Sequence, residues 1–479
     1  MKGYRFNKEL ASGEVMRTDR LGKIIATIGP ATATDEMIEK AYLRGVDVFR
    51  LNFSHGSQED HKKTYLAIRN LGKKYGTFPT ILADLQGPKL RIGTFMGNEI
   101  MLEVGEIFSL DMDSDPGNNK RVCFPHKEVF QALRPGSLLL LDDGKLKMEI
   151  ISCDGKRLGA RVLVGGRLSN RKGVSIPNLK LPISNLTDKD LRDLEFSLKL
   201  GVDWIVLSLV QSVEDVVRAK GIIENRAGVM TKLEKPLAIQ SLEPIVEASD
   251  AVMVARGDLG VEMDQEELPA IQRRVLEVGH RLGRPVVVAT QMLESMIFSP
   301  VPTRAEVSDV ANAVYQGADA TMLSAESASG QYPLEAIAMM SKVIQKTEAD
   351  PSILKYQEQE ARLPLPMVSD AICAAAKEAA EYSRAQVIML FTDSFDMILR
   401  CSRMRPSVPI IAVAASESFA SRCGVCRGVF SLVSKREFGE EQMCKIAKFV
   451  VAERKFATAG DNIVVVNDIS GSSVHICSL

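Results

Sequence analysis

Little in this 479-residue chain would tie it to a membrane, a nucleic acid or an oxidising compartment. No apolar run approaches the ~20 residues that span a bilayer. The N-terminal stretch Met1-Lys-Gly-Tyr-Arg-Phe-Asn-Lys-Glu9 lacks the apolar core of a secretion signal, so the cytoplasm is the expected location. Charges nearly cancel, leaving a net −1, which gives no reason to expect a nucleic-acid or membrane partner. The eight cysteines are scattered through the chain, which argues against a disulfide framework. One pair, Cys423-Gly-Val-Cys426, has C-x-x-C spacing. Zinc would need two further ligands and only Cys444 and Cys477 follow nearby, so the pair is read as coincidence. Five histidines without an H-E-x-x-H motif argue against a catalytic zinc.

What is present is apolar material for large cores, 46% of residues, in a chain long enough for about three domains. The informative stretch runs from Val229 to Glu262. Two apolar segments flank a helical pattern, the arrangement of a βαβ unit in a parallel sheet. Glu234 closes the first segment and Asp258 follows the second, so both carboxylates fall at one rim. Two carboxylates there suit Mg²⁺, which leaves its other positions to water and phosphate oxygens. Lys232 precedes Glu234 by two residues and shares its face of the strand. A cation beside a carboxylate-held metal suits phosphoryl chemistry, whereas a lone Lys-x-Glu reads as a strand-end salt bridge. The second carboxylate, in Arg256-Gly-Asp-Leu-Gly260, favours the first reading.

Eight apolar runs punctuate the chain: Lys23–Ile28, Val46–Asn52, Thr80–Asp84, Trp204–Val210, Val229–Leu233, Ala251–Ala255, Pro285–Thr290 and Ala320–Ser324. A weak repeat supports the count. Gly45-Val-Asp47, Gly201-Val-Asp203 and Gly317-Ala-Asp319 each join a helix to a strand, and Ala248-Ser-Asp250 does so without glycine. Eight β/α units predict a TIM (β/α)8 barrel with its site at the C-terminal strand ends; an open doubly wound sheet is the alternative. The barrel is expected over residues 1–88 and 185–355. Residues 89–184, with short alternating runs, turn signals and scarce helical periodicity, read as an inserted all-β lid domain. A break around Ala349–Pro366 reads as a linker, and 356–479 as a C-terminal open α/β domain.

Other chemistry falls at the same rim. Arg50 can grip a phosphate bidentately, and Asn52, Ser54 and Asp84 form an oxygen set suited to a monovalent cation. The Thr290 hydroxyl can bind a carboxylate or place a proton-bearing water, and Ser324 and Glu326 can extend a polar relay. A hydroxyl bonded to local backbone is the plainer reading of each.

These motifs resemble the catalytic core of pyruvate kinase. The resemblance rests on Thr231-Lys-Leu-Glu234, Ala255-Arg-Gly-Asp-Leu-Gly260, Arg50-Leu-Asn-Phe-Ser-His-Gly56, Ala83-Asp84, Ala289-Thr-Gln-Met-Leu-Glu-Ser-Met296 and Pro302-Thr-Arg-Ala-Glu306, and it runs from Lys23 to the end of the chain. It implies phosphoryl transfer from phosphoenolpyruvate to ADP in a cytoplasmic homotetramer, under a lid that excludes water. It further implies Mg²⁺ or Mn²⁺ on Glu234 and Asp258, and Arg50 on the substrate phosphate. Lys232, with Arg50 and Lys89, would offset the transferring charge. Backbone amides of Arg256, Gly257 and Asp258 would face the substrate carboxylate, with Thr290 near the enolate carbon. Pro30, Asn52, His55, Arg91 and Lys172 match nucleotide-binding positions, and Asn52, Ser54, Asp84 and Leu85 a potassium-type site.

The sequence departs from the commoner pattern at Asp84-Leu-Gln-Gly-Pro-Lys89. Many members carry Thr-Lys at the positions of Leu85 and Gln86, and Glu at that of Lys89. This chain resembles the smaller group with Leu, Gln and Lys, which does not require potassium. A lysine supplies the positive charge that a carboxylate would draw from an ion. In the C-terminal domain, Phe391-Thr-Asp-Ser-Phe-Asp396 keeps Thr392 and Ser394 of a phosphate loop. Asn467-Asp-Ile-Ser-Gly-Ser-Ser473 lacks the signature of fructose-bisphosphate-activated forms, and Asp468 would repel a second phosphate. Another phosphorylated effector stays open. Two competing functions are a Mg²⁺-dependent lyase or aldolase on pyruvate-type substrates, which has no use for lid residues such as Arg91 and Lys172, and a non-catalytic sensor.

Overall fold

The computed structural model describes residues 19–353, 365–434, 440–469 and 471–479. Most of the linker expected around Ala349–Pro366 (354–364), most of the N-terminal leader (1–18), 435–439 and Ser470 lie outside them. Eight parallel strands, Lys23–Ile28, Val48–Asn52, Thr80–Asp84, Trp204–Leu207, Gly228–Leu233, Ala251–Ala255, Val286–Ala289 and Ala320–Leu323, close into a barrel. The eighth pairs with the first, Lys23 opposite Ala320, which rules out the open sheet. Several strands are shorter than their apolar runs. The fourth ends at Leu207, because Leu209 takes a left-handed φ of 55°, a conformation that no strand contains.

The outer helices begin where side chains can cap them. Thr34 caps Asp35–Arg44, and full capping boxes open Gln58–Tyr75 (Ser57, Asp60), Asp188–Leu200 (Thr187, Asp190) and Arg304–Tyr315 (Thr303, Glu306). Among the described residues no helix is long and apolar enough to cross a membrane.

The weak repeat has a physical basis. Asp47, Asp203, Asp250 and Asp319 stand just before the even-numbered barrel strands. Each accepts, through Oδ2, the backbone N–H of a residue in the preceding strand: Ile24 at 2.8 Å, Ile81 at 2.6 Å, Val229 at 2.9 Å and Val286 at 2.8 Å. Each returns its own N–H to the carbonyl of that residue. The barrel is thus stitched at its N-terminal mouth as four strand pairs.

Between the third barrel strand and the outer helix Asp188–Leu200 the chain forms a separate body. Glu99–Leu102 pairs with Gly166–Ser169, and six further strands make a second sheet around a core that includes Phe108, Phe124, Phe130, Leu139 and Leu158. It also holds one helix, Lys127–Ala132, that buries Val129 and Phe130. At six residues it is too short for helical periodicity to be read from the sequence.

The C-terminal domain is a five-stranded sheet in the order Val429–Val433, Ile410–Ala414, Ile388–Phe391, Asn462–Asn467 and Ser473–Ser478. The first four run parallel and the last is antiparallel. It docks on the N-terminal mouth of the barrel. Lys23 Nζ donates to Val429 O at 2.7 Å and Trp204 Nε1 to Arg422 O at 3.0 Å. One apolar cluster joins barrel-interior residues such as Val48, Trp204, Met253 and Val287 to Cys423, Val425, Ile410 and Val464 of this domain. Cys423 and Cys426 are buried there, and burial pushes both thiols up, Cys423 to about 12.

Candidate active site

The C-terminal strand ends carry the rim residues onto the floor of a cleft of about 450 Å³ between barrel and lid. Arg50, from the second strand, donates through Nε and Nη2 to Asp84 Oδ2 on the third, at 2.7 and 2.6 Å, and through Nη1 to Thr27 Oγ1 at 2.8 Å. Lys232, from the fifth strand, reaches Glu234 Oε1 at 2.6 Å and lies 3.8 Å from Asp84 Oδ2. The period-two expectation thus leads to a direct contact. Glu234 also accepts the Leu209 N–H at 2.6 Å, an approach that the left-handed turn at Leu209 permits.

All four side chains are buried, and burial sets their charge balance. Burial alone would discharge Lys232, but Asp84, Glu234 and Asp258 outweigh it and hold the ammonium above its ordinary range. Asp84 stays below the usual carboxylate range because Lys232 and Arg50 together overcome its burial. Glu234 goes the other way. Burial pushes it up to about 7, with Asp258 adding to the rise and Lys232 opposing it.

Asp258 lies beyond the end of its strand, in the first turn of the short helix Arg256–Glu262, and is exposed to the cleft. The same cleft is lined by Asn52, Ser54, Lys89, Arg91 and Lys172. Lys89 Nζ donates to Ser54 Oγ at 3.0 Å, and the Ser54 amide donates to Asn52 Oδ1 at 3.1 Å. Ser208 Oγ donates to Leu85 O at 2.7 Å and contacts Asp84 Oδ1 at 3.3 Å. The oxygens of the potassium-type set therefore already face protein donors. Partial burial lowers the Lys89 ammonium, and the like charges of Lys232 and Arg91 lower it further. Arg91 donates to Arg171 O at 2.9 Å, and Lys172 pairs with Asp142 at 2.7 Å, so both lid cations sit in polar contacts of the lid.

Other expected residues do not line the cleft. The Arg256 side chain turns away to Asp309 at 2.8 Å and Thr290 O at 2.9 Å. Gly257 N donates to Thr290 Oγ1 at 2.7 Å, which ties the seventh strand end to the Asp258 helix. Thr290 and Gln291 both have positive φ, 69° and 55°. Such a conformation is rare for a β-branched residue, and such outliers cluster at functional sites. Glu326 accepts the backbone N–H groups of Ser324 at 2.8 Å and Leu293 at 3.3 Å, and its burial raises it. Pro30 and His55 are exposed; partial burial, then Lys89, Arg50 and Arg91, lower the His55 imidazole.

The motifs missed Ser208, Asp142, Asp143, Ser175, Lys235 and Glu262, all of which line the cleft. Ser208 was hidden inside an apolar run taken as strand. Its signal was the same one that marked Asp84, a polar residue at a strand's C-terminal end. Asp142 and Asp143 read only as a turn, and both have positive φ.

The family profile "Pyruvate kinase, barrel domain" matches residues 19–337, and "Pyruvate kinase, alpha/beta domain" matches 370–475. The chain belongs to the pyruvate kinase family. The pyruvate kinase of Methylorubrum extorquens is 49% identical over 455 residues, covering 94% of each chain. That of Mycobacterium tuberculosis is 38% identical over 450 residues, covering 93% of this chain and 94% of the relative. The crystal structure of a pyruvate kinase from Cryptosporidium parvum matches with a TM-score of 0.92 at 32% identity, covering 96% of both chains. The reaction is that of a pyruvate kinase: phosphoenolpyruvate and ADP give pyruvate and ATP, the last step of glycolysis. The family generally uses Mg²⁺, and the donor set fits it. Glu234 is driven up by burial and by Asp258, and a divalent cation held by Glu234 and Asp258 would relieve both effects.

Proposed function

We propose that Glu234 and Asp258 hold Mg²⁺ or Mn²⁺, and that Lys232, Arg50 and Lys89 form the cationic shell around the transferring phosphoryl group. When bound, the metal neutralises phosphate oxygens and orients them. Lys232 carries this reading. It is a buried ammonium kept charged by Asp84 and Glu234, so it is preorganised for charge that develops in the transition state. Arg50 lines the cleft, held by Asp84 and Thr27, and its remaining N–H groups take the substrate phosphate. The amides of Arg256 and Asp258, with that of Gly257 once it leaves Thr290 Oγ1, meet the substrate carboxylate, and Thr290, Ser324 and Glu326 order the proton delivered to enolpyruvate. Arg91 and Lys172 of the lid, with Pro30, Asn52 and His55 of the barrel, take the nucleotide. In this division the barrel spans 1–88 and 185–355, the lid 89–184 and the C-terminal domain 356–479.

Potassium is not required on this reading, because the Lys89 ammonium, bonded to Ser54 Oγ at 3.0 Å, supplies the positive charge that an ion on Asn52, Ser54, Asp84 and Leu85 would bring. The expected setting is a cytoplasmic homotetramer. A phosphorylated effector other than fructose bisphosphate suits the C-terminal loop. There Thr392 Oγ1 already bonds Asp468 Oδ2 at 2.9 Å, which leaves less room for a second phosphate. The test is ADP-dependent pyruvate formation with Mg²⁺ present and potassium replaced by tetramethylammonium. Turnover that potassium leaves unchanged supports the role of Lys89, and turnover only with potassium removes it.

A further inference from the structure

Lys235 and Glu262 belong to no part of the phosphoryl-binding set, yet both line its cleft. Lys235 follows Glu234 directly. Glu262 ends the short helix whose first turn carries Asp258. The two form an ion pair between Lys235 Nζ and Glu262 Oε1, with side chains only 8% and 5% exposed. The pair therefore ties together the two segments that present the carboxylates.

The tie is incomplete. Glu262 Oε2 is buried and, among the described residues, has no hydrogen-bond partner. A buried carboxylate oxygen without a donor is costly and calls for one. The lid brings one close. Ser175, in the two-residue strand Val174–Ser175, lines the same cleft as Glu262; burial raises the Glu262 carboxyl above its ordinary range, and Lys235 and, more weakly, the Ser175 hydroxyl oppose the rise. A second part of the lid rests on the same helix end, with Gly144 packed near Val261. The lid thus touches one end of a seven-residue helix whose other end carries Asp258.

We infer that Ser175, Glu262 and Lys235 form a latch that couples lid closure to the reaction site. As the lid settles, the Ser175 hydroxyl donates to Glu262 Oε2. The fixed carboxylate then holds the Asp258 helix against Lys235 and hence against Glu234. None of the three touches substrate; they are positioning residues. The inference rests on the reading of Glu234 and Asp258 as the metal-holding pair.

The test uses the full-length enzyme with Mg²⁺ and ADP. A hydrogen bond to a charged group that forms only in the closed state acts on kcat. Ser175→Ala is expected to lower kcat about tenfold with less than a twofold change in KM for phosphoenolpyruvate. Ser175→Thr, which keeps the hydroxyl, stays within about threefold of the parent. Glu262→Gln lowers kcat similarly, and adding Ser175→Ala to it costs nothing more. Binding of ADP slows amide exchange over residues 256–262 in the parent but not in Ser175→Ala. That readout does not depend on turnover, and it stands alone if Glu262→Gln fails to fold. Parental kcat and exchange in Ser175→Ala, or multiplying losses in the double variant, overturn the latch. Asp258→Asn separates the two ideas: near-parental activity there overturns the metal-site reading, whereas an inactive Asp258→Asn beside a parental Ser175→Ala overturns the latch alone.

Discussion

If Lys89 stands in for potassium as proposed, Lys89→Glu is expected to create a potassium requirement. In the parent, Lys89 Nζ sits 3.0 Å from Ser54 Oγ, at the edge of the Arg50, Asp84 and Lys232 cluster. Were the Lys89 charge about 5 Å from the transferring phosphoryl, it would contribute about 3 kcal/mol at an effective dielectric of about 20. Lys89 is exposed, so solvent screening leaves about half of that. Reversing the charge doubles the change and returns it to about 3 kcal/mol, a loss of more than about a hundredfold in kcat/KM. Potassium held by the new carboxylate with Ser54, Asn52 and Asp84 restores one positive charge and most of the activity. The assay is the initial rate of pyruvate formation at fixed ionic strength, titrating KCl against tetramethylammonium chloride. A Lys89→Glu enzyme that is fully active without potassium refutes the argument, as does one that potassium does not rescue.

Lys232→Met is expected to lower kcat by roughly a hundredfold or more while KM for phosphoenolpyruvate moves only severalfold, since its charge is preorganised for the transition state; equal effects on both, from steady-state kinetics, refute that role. Buried Lys23 is pushed down to about 8, mainly by burial, from an ordinary 10.5. Its contribution to stability is present above about pH 10.5 and lost as pH falls through about 8. The parent should therefore gain up to about 3 kcal/mol from this group as pH rises across that window, a slope that Lys23→Met removes in urea titrations at pH 7.5 and 9.5. A Cβ at Gly424 would lie 2.1 Å from Thr80 Oγ1, so Gly424→Ala should cost about 1–3 kcal/mol, and Thr80→Ala in the same chain should recover part of it; denaturant midpoints decide.

The barrel was legible because its signals are periodic and repeated. Eight apolar runs, and glycines at Gly45, Gly201 and Gly317 that permit helix-ending turns, need no tertiary context. Strand limits were less legible. Leu209 belongs to an apolar run by composition, and only the bond from its amide to Glu234 forces it out of the strand. Within the site, Lys232 and Glu234 could be paired from strand period alone. Lys235 and Glu262 could not, because their contact depends on how a helix of seven residues packs. The turn at Asp142-Asp143 was visible as a turn, but its approach to Lys172 belongs to the folded lid. The helix Lys127–Ala132 was too short to show a helical period, and the strands Val429–Val433 and Ser473–Ser478, as long as those of the barrel, break their apolar runs with Ser431 and with Ser473, His475 and Ser478.

Three of the four aspartates at the N-terminal mouth have a second set of partners in the C-terminal domain, whereas Asp47 pairs with Arg20. Asp203 Oδ1 accepts from Ser421 Oγ, Asp250 lies 3.5 Å from Arg422, and Asp319 lies 3.3 Å from Arg405. Three of the four carboxylates that close the barrel seams thus also fasten the C-terminal domain, and the apolar cluster beneath them is common to both bodies. A chain cut at residue 365 would strip these acids of their partners and open the barrel's lower interior to water. The catalytic barrel is consequently not a free-standing folding unit: it and its C-terminal domain should melt in one cooperative transition, while the lid, with a core of its own, is the part that can be exchanged or lost without unravelling the rest.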